Sequence, residues 1–183
     1  MTPRQFASLP DADVAVAVNR AAGGGAVSEE ALRLAFGLRD CEPAVGGRVL
    51  LFVPTWRGGS AAAVVEDARR GLLELGDGPV VVMDLRPEPG SPDRSTVSAG
   101  RYESLENEVA RARARYAYVL CIGGSVDTVE TLIAAGLTDA TVLTVTPGRT
   151  TRGDMQRAAG QLRRARGRLL GFVVDARATE RGE

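Results

Sequence analysis

The stretch from Gly47 to Asp84 reads GRVLLFVP, TWRGGS, AAAVVEDARRGLLELG, DGP and VVVMD. Val49–Val53 is a continuous apolar run, as expected of a parallel strand buried on both faces. Gly58-Gly59-Ser60 supplies a turn. Ala61–Leu75 then places Val64, Ala68, Leu72 and Leu75 on one helical face, and Gly76 suits the C-terminal cap. Val80–Met83 is a second apolar run closing at Asp84. Strand, turn, helix and strand in this order predict one parallel β-α-β unit. In many such units the helix N-terminus holds a phosphate.

The same pattern recurs along the chain. Ser28 is placed to cap a helix with Glu29 and Glu30 in its first turn, and with a Leu32, Ala35, Phe36 stripe. That helix is expected to end near Gly37 or Asp40. Leu85–Gly100 reads as a loop. Tyr102–Arg115 follows as a helix with Leu105, Val109, Ala112 and Tyr116 inward. Arg111 and Arg115 read as a solvated face near its end, with phosphate or partner binding as the lesser alternative. Tyr118–Ile122 is a third strand. Asp127 and Glu130 have capping-box spacing before a short helix with Val129, Leu132, Ile133 and Gly136 inward. Thr141–Val145 and Leu169–Val174 are two more strands, separated by a helix that begins at Thr151 and Asp154 and runs to about Arg166. Five strands alternating with helices predict an α/β fold: a doubly wound, mainly parallel sheet with helices on both faces, a three-layer sandwich of the P-loop NTPase kind. Residues 28–176 are expected to form this domain. Residues 1–27 read as an arm or linker, although Asp13–Val18 alternates as a strand would, and 177–183 as a frayed tail.

Composition narrows the chemistry. The 23 basic residues balance 23 acidic ones, so the basic excess of a nucleic-acid binder is absent. All the basic residues are Arg, with neither Lys nor His. A Ser-His-Asp triad, a lysine Schiff base and a histidine metal site therefore cannot be built from this chain. Cys41 and Cys121 suit a reducing compartment, and Cys121 sits within a strand as a small core residue. No apolar run reaches the length of a membrane span, and the N-terminal residues lack the layout of a signal peptide. A cytoplasmic location is expected.

In parallel sheets of this kind ligands bind at the carboxyl ends of the strands. Candidate residues there are Arg57, Gly58, Gly59, Ser60, Asp84 and Arg149. A working P-loop is G-x-x-x-x-G-K-[S/T]. Gly58-Gly59-Ser60 stands where its G-K-S would, so the lysine position is Gly59. The glycine turn reads either as an anion site or as a turn alone. Asp84 could position a metal-bound water or cap its loop. Trp56, the one Trp, could pack over the turn or mark a partner contact.

The order of segments resembles the cytoplasmic domain of bacterial tyrosine kinases, relatives of the MinD/ParA-like P-loop ATPases that accompany capsule and exopolysaccharide export. Glu30-Ala31-Leu32-Arg33 is similar to the E-x-x-R helix before the nucleotide domain. Arg48–Ser60 resembles the first strand and Walker A, and Asp84-Leu85-Arg86-Pro87 the end of the Walker A′ strand. Tyr116-Ala117-Tyr118-Val119-Leu120 resembles the lead into Walker B. Gly148-Arg149-Thr150-Thr151, and Leu169–Val174, resemble the segments that follow. The departures are specific: Gly59 replaces the Walker A lysine, Ile122 or Gly123 replaces the Walker B aspartate, and no tyrosine cluster ends the chain. The resemblance therefore implies a catalytically degenerate module without its own metal site. Its ATP or ADP with magnesium would be lost or weakly held, at Arg57–Ser60, Asp84 and Arg149. Glu30, Arg33 and Trp56 would serve contacts with a membrane polysaccharide copolymerase, an active kinase or a second copy, bringing the chain to the inner membrane through a partner. An anion-binding or nucleotide-binding enzyme built on Asp84 and the Gly58–Ser60 turn, and a ligand-free structural domain, stand as alternatives.

Overall fold

The computed structural model describes residues 15–19, 27–42, 46–86 and 99–176. Its elements run β1 (Ala15–Asn19), α1 (Glu29–Arg39), β2 (Arg48–Pro54), α2 (Ala62–Glu74), β3 (Val80–Asp84), α3 (Ala99–Arg113), β4 (Tyr118–Ile122), α4 (Val129–Leu137), β5 (Ala140–Val145), α5 (Arg152–Arg164) and β6 (Leu169–Asp175). The six strands form one sheet in the order β1-β6-β5-β2-β4-β3, and every pairing is parallel. Five of them are those expected. The sixth, β1, lies in the segment read as an arm, where it pairs with β6 from Ala15 opposite Gly171 to Asn19 opposite Asp175.

The central strands explain the two-faced core. Successive side chains alternate sides. Leu50 and Phe52 pack with Val64, Ala68 and Leu72 of α2 and with Leu34 and Leu38 of α1. Val49, Leu51 and Val53 pack on the other side with Val109 of α3, Ala134 and Ala135 of α4, and Ala158 and Leu162 of α5. Both faces of β2 are thus covered, which is why its sequence is apolar without a break. β3 is an edge strand, and its residues are only partly buried.

Local signals set most boundaries. The Ser28 hydroxyl accepts from the Ala31 amide at 3.1 Å, and α1 ends at Asp40. Thr151 and Asp154 form a reciprocal capping box at the start of α5. Two stripes are rotated from expectation. In α1 the buried set is Ala31, Leu34, Ala35 and Leu38, and Phe36 is 53% exposed with the Arg39 guanidinium over its ring. In α4 the buried set is Thr131, Ala134 and Ala135, and Val129 is exposed. In α4 the residues turned inward are small, whereas α1 buries Leu34 and Leu38 beside its two alanines. Asp127 does not cap α4. Thr128 stands at that position, and the Asp127 carboxylate turns to side chains on other elements. α3 also begins earlier than expected, at Ala99, and ends at Arg113, so that Arg115 lies in the turn beyond it.

Candidate functional site

From β2 the chain steps to β3 on one side through α2, and from β5 to β6 on the other side through α5. The order of connections reverses between the carboxyl ends of β2 and β5, where doubly wound sheets place their ligands. Threonines line this junction. The Thr55 amide and hydroxyl both donate to the Thr144 carbonyl, at 3.0 and 2.9 Å. The Thr55 hydroxyl proton is thereby used. The 2.7 Å contact between the Thr55 and Thr150 hydroxyls therefore has Thr150 as donor, while Thr150 accepts from the Thr146 amide at 3.1 Å. The two loops are stitched together by a part-buried pair of hydroxyls, Thr55 and Thr150, with both protons assigned.

Trp56 lies over this junction. Its indole nitrogen donates to the Thr146 hydroxyl at 3.3 Å, and the Arg149 guanidinium sits 5.9 Å from its ring centre. The ring folds back on the glycine turn. A Cβ at Gly58 would lie 3.1 Å from Trp56 Cζ3, and the backbone there has φ +87°, a left-handed conformation that favours glycine. A Cβ at Gly59 would lie 2.8 Å from Pro54 Cβ and 2.9 Å from the indole nitrogen. Gly59, the position expected to match the Walker A lysine, thus has no room for the first carbon of a side chain unless its neighbours shift. Ser60 is exposed, and its hydroxyl accepts from the Ala62 amide at 3.2 Å, serving the start of α2.

Arg57 reaches away from the turn. Its Nε donates to Asp127 Oδ2 at 3.2 Å. The same carboxylate accepts from Gln161 of α5 at 3.3 Å and from the Ser125 hydroxyl at 3.3 Å, and Arg157 Nη1 lies 3.9 Å away. Asp127 is mostly buried whereas Arg57 is 82% exposed. The pair is worth little by itself, but one carboxylate joins the β2-α2 turn, the β4-α4 loop and α5.

The candidate residues divide into separate groups. Trp56, Gly58, Gly59 and Arg149 come together at the β2/β5 junction, whereas Arg57 turns to Asp127 and Ser60 to the start of α2. Asp84 does not join them, because β4 stands between β2 and β3. Its carboxylate accepts from the Arg86 side chain in a fork and from the Arg86 amide at 3.1 Å, so it closes its own loop. The Arg86 side chain, followed by burial acting in the opposite sense, holds the Asp84 pKa below the ordinary value. Glu30 and Arg33 lie on α1, Glu30 half-buried and Arg33 exposed. Arg33 pairs with Glu29, one turn back, rather than with Glu30. Arg111 of α3 is exposed, its Nε donating to the Asn107 carbonyl at 3.2 Å. Arg157 and Gln161 were not marked by the sequence, and Thr55, Thr146 and Thr150 were marked only as members of strand-end segments, with no role of their own. Threonines at strand ends carry strand propensity as much as any site signal, and nothing in their spacing separates the two.

No family model and no curated protein sequence matches the chain. Solved structures do resemble it. The chimerical protein CapA2B2 superimposes with a TM-score of 0.65 at 12% identity, covering 82% of this chain and 84% of its own. The kinase domain of the Escherichia coli tyrosine kinase ETK gives 0.60 at 12% identity, covering 80% and 72%. The BceF tyrosine kinase domain gives 0.55 at 16% identity, covering 79% and 74%. At these identities the likeness establishes the fold: this chain has the architecture of bacterial tyrosine kinase domains, the P-loop-like parallel α/β sandwich expected from its sequence.

Proposed function

We propose that the chain is a catalytically degenerate relative of these kinase domains that regulates polysaccharide biosynthesis or export through protein contacts. The observation that carries this reading is the Trp56 ring packed across the glycine turn, against the very position where a lysine would neutralise phosphate charge. Four further features support it. Gly59 has no space for a side chain. Arg57, the nearest cation in sequence, pairs with Asp127. Asp84 is engaged by Arg86. No acid ends β4, whose last residue is Ile122.

The partner in this reading is a membrane polysaccharide copolymerase, an active kinase or a second copy of the chain. The location is cytoplasmic, at the inner membrane only through that partner. Among the described residues no helix is long and apolar enough to cross a membrane. The packed turn also favours the ligand-free version of the proposal, in which the fold serves contacts alone.

Calorimetric titration with ATP and ADP, with and without magnesium, tests it. The expected result is no hydrolysis and no binding tighter than about 1 mM, that is, no more than about 4 kcal/mol. Robust turnover abolished by Ser60→Ala or Asp84→Ala would overturn the proposal.

A further inference from the structure

A cleft of about 250 Å³ lies between α3 and α4 at the end of β3. Leu85, Leu105 and Ile133 provide its apolar lining. Tyr102, Glu108 and Glu130 provide its polar side, together with the Asp84–Arg86 pair. Tyr102 is 43% exposed, a large aromatic left open to solvent beside this concavity.

The charges select the occupant. Three carboxylates face one guanidinium, and that guanidinium is already held by Asp84. Glu108 has one neutral donor, the Ser104 hydroxyl at 3.2 Å. Glu130 is half-buried and has no ion-pair partner among the described residues. A phosphate-bearing ligand would be repelled. The volume also falls below the range of roughly 300–1,000 Å³ in which small-molecule and cofactor sites occur. A metal ion is not favoured either, since among the described residues no three acids are grouped to hold one. What fits is a single side chain with an apolar stem and a cationic head. Arginine suits the site better than lysine. Its planar head can lie on the Tyr102 ring and offer paired N–H groups to a carboxylate.

We infer that the α3/α4 cleft receives an arginine side chain from a partner protein, its stem against Leu85, Leu105 and Ile133 and its head between Tyr102, Glu108 and Glu130. This rests on the reading of the chain as a protein-contact module and names the chemistry its partner brings.

The probe is N-acetyl-arginine amide, titrated into the isotope-labelled full chain and followed by amide chemical shifts. N-acetyl-citrulline amide, uncharged and nearly the same shape, is the control. Saturable shifts centred on residues 102–108 and 130–133 are expected with arginine and not with citrulline. The Glu108→Gln/Glu130→Gln double variant should weaken binding about tenfold, and Tyr102→Ala a few-fold. No saturation by about 50 mM, roughly the weakest side of millimolar binding, equal response to citrulline, or shifts unchanged in the double variant would each overturn the inference. Nucleotide binding is read separately by calorimetry. A chain that ignores both ATP and the arginine probe loses this inference and keeps the degenerate reading, whereas one that turns over ATP loses the latter.

Discussion

Substituting Gly59 tests whether the glycine turn has merely lost its lysine or has been rebuilt around Trp56. An alanine there adds one carbon 2.8 Å from Pro54 Cβ and 2.9 Å from the indole nitrogen. Ordinary carbon contacts are about 3.5–4.0 Å. Pro54 is buried in the sheet and cannot yield. Trp56 can move only by giving up its bond to Thr146, worth about 1 kcal/mol, and its stacking with Arg149, worth about 0.5–1 kcal/mol. The entropic gain of Gly→Ala in a loop, about 0.4–1 kcal/mol, offsets part of this. With the unrelieved Pro54 contact added, Gly59→Ala should destabilise by about 1–2 kcal/mol, within the usual range for overpacking. In a Trp56→Ala background the indole clash is gone, and the same substitution should cost about 1 kcal/mol less. Urea denaturation followed by far-ultraviolet circular dichroism measures all four proteins of the cycle without depending on the lost indole. Additivity to within about 0.3–0.5 kcal/mol would refute the claim that the ring occupies the Gly59 space. The same geometry predicts that Gly59→Lys alone gains no ATP affinity by calorimetry.

Gly71→Ala should be destabilising even though alanine is favoured in helices by about 1 kcal/mol. Its Cβ would lie 2.3 Å from the Ala31 carbonyl oxygen, a backbone atom of α1 that cannot swing aside, so the crossing of α1 and α2 must open, and the urea midpoint should fall. Asp139→Ala should cost about 3–5 kcal/mol by the same assay, because that carboxylate is only 3% exposed and accepts from both Arg113 at 2.9 Å and the Val49 amide at 2.7 Å. Glu66 gives a pH dependence. The Arg69 side chain, opposed by burial and helped by Arg70, lowers its pKa from 4.5 to about 2. A depressed carboxylate stabilises the fold above its unfolded pKa, and the effect disappears as pH falls from about 4.5 to about 2. With Glu66 39% exposed the effect is small and screened by salt. The melting-temperature difference between the parent chain and Glu66→Gln should therefore be modest at pH 7 and vanish near pH 2.

The sheet was legible because its signal is redundant. Val49–Val53 and Tyr118–Ile122 are unbroken apolar runs, and each is buried on both faces in the structure. The helix starts at Ser28 and Thr151 were legible because a capping hydroxyl leaves a local mark three residues from its partner. What failed was the choice of face where a helix is short or rich in alanine. In α4 the sequence Val129-Glu130-Thr131-Leu132-Ile133 allows more than one apolar stripe, and size favours the wrong one. Thr131 is buried because its hydroxyl accepts from Thr128 at 2.8 Å, a pairing that hydrophobicity does not anticipate. The strand β1 was visible only as alternation in an alanine- and valine-rich segment, where a helix fits as well.

The site was legible in part, and the division follows the range of the forces involved. Gly58 could be read as a turn because a left-handed backbone is a property of the residue itself. Asp127 could not be read correctly, because two explanations of an acid before a helix are identical in sequence. A capping box requires only Glu130 three positions on. The observed role requires Arg57, 70 positions back, and Gln161, 34 positions on. Trp56 shows the same limit more sharply. Its ring touches Gly58 and Gly59 beside it but is fixed by Thr146, 90 positions away. The missing lysine is a fact of sequence, whereas the filled space is a fact of the fold, and only the second makes the loss hard to reverse. A lone Gly59→Lys change would restore the motif as written and still meet Pro54 and the indole. Reversal would need at least Trp56 removed as well, together with an acid at the end of β4, where Ile122 now stands packed into the core. That last change would bury a carboxylate among apolar side chains, at a cost of several kcal/mol unless a cation pairs it. The departures from the kinase motif therefore support one another, in line with the proposed use of the fold for protein contacts.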